Sequence, residues 1–344
     1  MILHWDHEPR LKGRCRASVL DCGSPLPLLR PRAGCESARG LAQSKISRCD
    51  GRFMQRSGRR RFAELASIAL LLLVGVVPLP AADTGASDRK IPPPGIHIPD
   101  ADRRELEAGA ESLAREIESL RAALKDKPAL TELLPDVQIF QKAVDWALRC
   151  DEFYKSNEVR IAHGLLAAGV ARAVQLRNGE TPWTGATGLV VRGFTSRLDG
   201  SVQPYGLIVP AAFVGEALEP VAPAHRSVYR LDIWLHGRDD HLSELKFISD
   251  RQKSYGEFAP SNTFVLHPYG RYCNAFKFAG EVDVLEALEQ VTKHYPIDTN
   301  RIVLRGFSMG GAGAWHLGVH HAGQWAVVAP GAGFASTSTE CAAA

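Results

Sequence analysis

Beyond residue 83 the chain is poor in cysteine. Of its seven cysteines, Cys15, Cys22, Cys35 and Cys49 lie in the first 53 residues and Cys341 in the last four. Only Cys150 and Cys273 fall between. Neither has a nearby histidine or a Cys-x-x-Cys partner, which argues against a zinc site or a dithiol redox motif there. Two readings stay open: a bridge in an oxidising compartment, or two buried thiols, with the thiols favoured. A charge of one sign is also missing from the body. The net charge of +3 divides into +9 over residues 1–61 (14 Lys/Arg against 5 Asp/Glu) and −6 over the rest. A basic leader on a mildly acidic body does not suggest a nucleic-acid binder, whose charge sits on the folded part.

No apolar run is long enough to cross a bilayer, which takes about 20 residues. The longest, Leu65–Val77, has 13 residues. It follows Arg56, Arg59, Arg60 and Arg61 and precedes a Pro-flanked break with Ala81 and Ala82. That order predicts a secretory signal peptide over 54–82, hence a secreted or periplasmic protein with no stable membrane anchor after cleavage. Residues 1–53, rich in Arg, Pro, Gly and Cys and without any period, read as a non-native leader with translation starting at Met54. A linker is expected over 83–95.

Three apolar stripes come next, predicting a helical segment over 96–178. The first opens at Asp102-x-x-Glu105, a capping-box pattern, and runs through Leu106, Leu113, Ile117, Leu120 and Leu124. The second is Val137, Phe140, Val144 and Leu148. The third runs from Ile161 through Leu165, Val170 and Val174, with His163 read as structural. Each helix has one apolar face, so the three should pack together or dock on the C-terminal part of the chain.

From residue 180 the period changes. Gly188–Thr195 and Val202–Val209 flank Leu198-Asp199-Gly200-Ser201, a hairpin turn signal. Val228–Leu235, Thr263–His267, Arg301–Arg305 and Trp325–Val328 are further strand candidates, with helical patterns at Val282–His294 and Gly311–Val319. Strands alternating with helices imply an α/β fold with a largely parallel sheet.

Within it, Arg301–Arg305 runs into Gly306-Phe-Ser308-Met-Gly310 and then a small-residue helix. Gly-x-Ser-x-Gly between a strand and a helix is the pattern of a nucleophile elbow, in which a strained turn exposes the serine hydroxyl above the sheet. Gly306 and Gly310 remove Cβ atoms that would collide in so tight a turn. Some 70 residues upstream, Arg230–Leu235 ends in His236-Gly237-Arg238. Backbone N–H groups there and at Met309 would hold the oxyanion of a tetrahedral intermediate. A metal-site reading of His236-Gly-Arg-Asp239-Asp240-His241 is weaker, because Arg238 stands where a ligand would be needed and repels a cation.

The segments LDGSVQPYGLIVP, DIWLHGRDD, HPYGRYCNAFKFAGEVDVLEALEQV and RIVLRGFSMGGAGAWHLG resemble secreted bacterial α/β-hydrolases of the prolyl-oligopeptidase-like and esterase/depolymerase type. The resemblance covers residues 188–334. It implies an α/β-hydrolase domain over 180–344, Ser308 as nucleophile, and Met309 with the His236-Gly237 loop as backbone oxyanion donors. It further implies a small-molecule ester or peptide substrate and no cofactor, since Ser-His-acid chemistry needs none.

Such chemistry also needs an acid and then a histidine after the serine. No aspartate follows Ser308, and Glu340 lies in the tail. His316, His320 and His321 sit on or just after the helix leaving the elbow, poorly placed to face the hydroxyl. A C-terminally truncated hydrolase with weak catalysis is therefore expected. Two alternatives stand beside it: an inactive relative that at most binds a ligand, and a helical interaction module over 96–178.

Overall fold

The computed structural model describes residues 92–213 and 228–334. The expected leader, the signal peptide, most of the linker, Glu340 and Cys341 lie outside them. No helix among the described residues is long and apolar enough to cross a membrane.

Helix α1 (Asp100–Ala123) buries Leu106, Ala110, Leu113, Ile117 and Leu120 on one face. The expected capping box does not form. Pro99 occupies the cap position and no side chain caps the helix, while Asp100 and Asp102 lie inside the first turn. There the macrodipole favours them without a specific bond. A single turn, α2 (Pro128–Thr131), leads to α3 (Pro135–Cys150), which starts on proline and buries Val137, Ile139, Phe140, Val144 and Leu148.

Helix α4 (Glu158–Arg177) corrects the sequence reading. Its buried face is Ala162, Leu165, Leu166, Gly169, Ala173 and Leu176, whereas Val170 and Val174 are 47% and 50% exposed. The reason is close helix packing. A Cβ on Gly169 would lie 2.6 Å from Leu113 Cδ2 and 3.0 Å from Phe140 Cβ. The helix turns its small residues inward to allow that approach, and its valines face out. His163, read as structural, is exposed.

The sheet has six strands: β1 (Gly188–Thr195), β2 (Val202–Val209), β3 (Tyr229–Leu235), β4 (Thr263–Pro268), β5 (Ile297–Phe307) and β6 (Val327–Gly331). Their spatial order is β1-β2-β4-β3-β5-β6. Strands β1 and β2 form an antiparallel hairpin, closed by Gly200 at φ 73°. Strand β2 runs antiparallel to β4, and β4, β3, β5 and β6 are mutually parallel. Every residue of β4 is buried, as expected for a strand covered on both faces. Strand β6 begins two residues later than the expected Trp325 and runs past the expected end at Val328 to Gly331.

Helix α5 (Glu244–Lys253) was not foreseen, although Ser243 caps it by accepting from Lys246 N. Helix α6 (Ala279–His294) precedes β5, and α7 (Met309–His320) follows it. Cys150 and Cys273 are thiols, not a disulfide. The Cys273 thiol is pushed up to about 11, chiefly by burial.

The helical layer and the sheet share one hydrophobic core. Helix α3 lies against β1 and β2, and a buried carboxylate joins them. Asp136 accepts from Arg192 Nε at 2.8 Å, Trp183 Nε1 at 2.9 Å and Gly193 N at 2.7 Å. Arg192 in turn donates to Tyr295 Oη at 3.0 Å. Removing one member of a buried ion pair leaves the other uncompensated, at about 3–5 kcal/mol. Asp136→Ala should therefore lower the unfolding free energy by about that much in urea titrations. A loss under about 1 kcal/mol, the level of an exposed pair, would show the network to be incidental.

A half-buried acid, Glu152, sets a pH dependence. Burial, reinforced by Glu244 and opposed by Lys142, pushes the Glu152 carboxyl up to about 7. A carboxyl whose folded value is raised contributes stability fully present below its unfolded value, about 4.5, and lost as pH rises through about 7. Glu152→Gln should match the parent at about pH 4.5 and exceed it at about pH 8 by on the order of 1–2 kcal/mol. Urea midpoints at the two pH values check this.

Candidate functional site

The parallel strands β3 and β5 are neighbours, with Leu235 opposite Gly306. Both chains therefore leave the sheet side by side, one into His236-Gly237 and the other into Phe307-Ser308. Ser308 stands between β5 and α7 at φ 55°, ψ −117°. Positive φ strains a residue with a Cβ, and such strain persists only where the surroundings impose it. Here they do. Ser308 N donates to Gly331 O at 2.9 Å, and Ser308 O accepts from Ala312 N at 3.0 Å. The first bond ties the turn to β6 and the second starts the helix.

The two flanking glycines are sterically required. A Cβ on Gly306 would sit 2.2 Å from the Gly310 carbonyl oxygen. One on Gly310 would sit 2.0 Å from Leu235 O and 2.8 Å from His236 O. The same contact brings the end of β3 against the first turn of α7. Gly237 lies beside the elbow too, since its Cβ position would be 3.7 Å from Phe307 O.

Strand order with β2 alone antiparallel, and a serine on a strained turn after β5, together decide the architecture. This is an α/β-hydrolase sheet.

Similar solved structures include a thermostable esterase, with 23% identity over 41% of this chain and 40% of that one (TM-score 0.29). Another is a fluorophosphonate-binding serine hydrolase of Staphylococcus aureus, with 16% identity over 41% and 55% (TM-score 0.31). A third is a ferulic acid esterase of the fungus Anaeromyces mucronatus, with 14% identity over 43% and 64% (TM-score 0.26). The chain spans less than two thirds of the length of each. No protein-family model and no curated protein matches the chain.

His236 is held in place by its ring contacts. Its ring nitrogens lie 2.9 Å from the carbonyls of Gly237 and Tyr269, and Phe276 packs against its face edge-on at 4.9 Å. Burial lowers the imidazole's pKa against the pull of both carbonyls. The ring thus fastens the loop after β3 to the loop after β4. Met309, buried at the first helical position, has a backbone N–H among those that an α-helix leaves without an internal partner.

The loop between β4 and α6 is under strain that the sequence did not announce. Arg271, Tyr272, Ala275, Phe276 and Phe278 all have positive φ. Side chains hold it: Arg271 donates to Asp283 at 2.9 Å and to Asp199 at 2.5 Å, and Asn274 Oδ1 accepts from Phe276 N at 2.9 Å. Non-glycine residues at positive φ carry only a weak sequence signature, which is why this support was missed.

The other candidates do not converge on the serine. Ser308 Oγ makes no hydrogen bond among the described residues. His316 and His321 instead face Glu281 of α6, at 2.7 and 2.6 Å. The suggested metal motif is not assembled either. Asp239 meets Lys246 at 3.2 Å, Arg238 meets Asp240 at 2.7 Å, and both His236 nitrogens are on carbonyls. A depression of about 600 Å³ lined by Arg197, Leu288, Asn300 and Gln324 lies toward the opposite end of β5 and includes none of the elbow residues.

Because the obstructing atoms at Gly306 and Gly310 are backbone, neither position can yield cheaply. Gly306→Ala and Gly310→Ala should each destabilise by about 3 kcal/mol or more, the upper range for overpacking. Gly323→Ala, where nothing lies within 4 Å, should be nearly neutral. Thermal melts of the three variants test the contrast, and equal losses would contradict it.

Proposed function

We propose that this chain is a secreted serine hydrolase that cleaves an ester or peptide bond through an acyl-enzyme at Ser308. One observation carries the reading: Ser308 sits at positive φ on a strained turn between β5 and α7, with the His236-Gly237 loop packed beside it. In the proposed reaction the hydroxyl attacks the acyl carbonyl of a small-molecule substrate. The oxyanion is held by N–H groups at Met309 and Gly237, aided by the N-terminal end of the α7 dipole. Collapse expels the alcohol or amine, and water releases the acyl group. No step calls for a cofactor, and the acidic body gives no reason to invoke nucleic acid.

The hydroxyl also needs a base. Among the described residues no histidine bonds it, which favours a second reading: an inactive relative that binds a ligand at most. Losing the triad histidine costs about 10⁶-fold in turnover, yet a residual 10³–10⁴-fold over water survives from the oxyanion hole and binding. The chain should therefore label slowly at Ser308 with a fluorophosphonate probe, and Ser308→Ala should not label. Rapid stoichiometric labelling would show that a base is present after all. Labelling unaffected by Ser308→Ala, or none, would remove Ser308 as nucleophile and leave the second reading.

A further inference from the structure

Away from the elbow, the far end of α7 gathers three histidines around one carboxylate. His316 and His320 are one turn apart on the same helix face, with ring centroids 4.3 Å apart. Glu281, in the first turn of α6, reaches both, and one donor atom from each of the three lies within 4.8 Å of the others. His321 Nε2 approaches the remaining oxygen of Glu281 at 2.6 Å. Glu281 and His316 are half-buried and His320 is exposed, so the group is both held in place and reachable from solvent.

We propose that Glu281, His316 and His320 form a binding site for a divalent transition-metal ion of the zinc class. The donor set decides the class. Two imidazoles and one carboxylate suit zinc and its neighbours, whereas calcium and magnesium take oxygen ligands throughout. Two histidines four apart on a helix form a ready chelate, and metal–ligand distances of about 2.0–2.2 Å require only that the three side chains close on a common centre. His321 is a positioning residue, holding the Glu281 carboxylate from the side the metal does not use. Such outer partners fix the orientation of a ligand. Water completes the coordination. The ion would clip α6 to the C-terminal end of α7, the helix that follows Ser308. The proposal is independent of any reaction at Ser308.

The test is calorimetric titration of zinc into the chelator-stripped full chain, with Co²⁺ absorption as a reporter of nitrogen-ligated coordination. Saturable binding is expected, with His320→Gln and His316→Gln each weakening it by about tenfold or more and His321→Gln by a smaller factor. The cysteines and histidines of the leader supply other possible ligands, so the comparison between parent and variant is the deciding readout. Because His320 is exposed, its variant should fold, which unchanged circular dichroism would verify. Zinc should also raise the melting temperature of the parent and not of the His316→Gln/His320→Gln double variant. Absence of saturable binding, or equal affinity in parent and double variant, would overturn the site and leave Glu281 as an ion-pair partner only.

Discussion

Backbone-to-backbone contact at the meeting of β3, β5 and α7 is the constraint on which the candidate site depends. At Gly306 and Gly310 the space for a side chain is already occupied by main-chain carbonyls. Gly311 and Gly333 are in the same condition against each other's backbone, with Cβ positions 2.8 and 2.4 Å from it. The strand ends and the helix are thereby locked at a separation no larger residue would permit. Ser308 takes its strained conformation because every neighbour of the turn is fixed. The strain is a consequence of packing.

Polar groups carry the next level of organisation. Inside the sheet, Asp232 of β3 accepts from Arg230 on its own strand and from Arg305 Nε of β5 at 2.6 Å. Phe258 stacks on Trp234 and lies under the Arg305 guanidinium. These contacts join β3 to β5 just before the strands reach His236 and Gly306, so alignment of the two strands is set by charge as well as by the ladder. The loop after β4 is held in the same manner by Arg271.

Much of this was legible in the residues. Period-two runs and a Leu-Asp-Gly-Ser turn located β1 and β2 to the residue, because register and turn chemistry coincide there. The elbow was legible because its glycines answer a steric demand. The face of α4 was misread because alanine and glycine carry little hydropathy, although they are the residues that close helix packing selects. Helix α5 was missed because a polar segment such as Glu244–Lys253 buries only Leu245, Phe247, Ile248 and Ser249. The His316, His320 and His321 spacing was visible, yet Glu281 is 35 residues from His316, and only the packing of α6 on α7 brings them together.

The Asp136 carboxylate has a temporal consequence. Its donors, Trp183, Arg192 and Gly193, lie 47 to 57 positions further along the chain. A nascent polypeptide thus completes α1, α3 and α4 while the carboxylate at the start of α3 still lacks all three of its hydrogen-bond donors. Water must solvate it until the first strand leaves the ribosome, so the helices can dock only loosely before then. Arrival of β1 is the event that seals the layer, and the helices from Asp100 to Arg177 wait on that strand to finish packing.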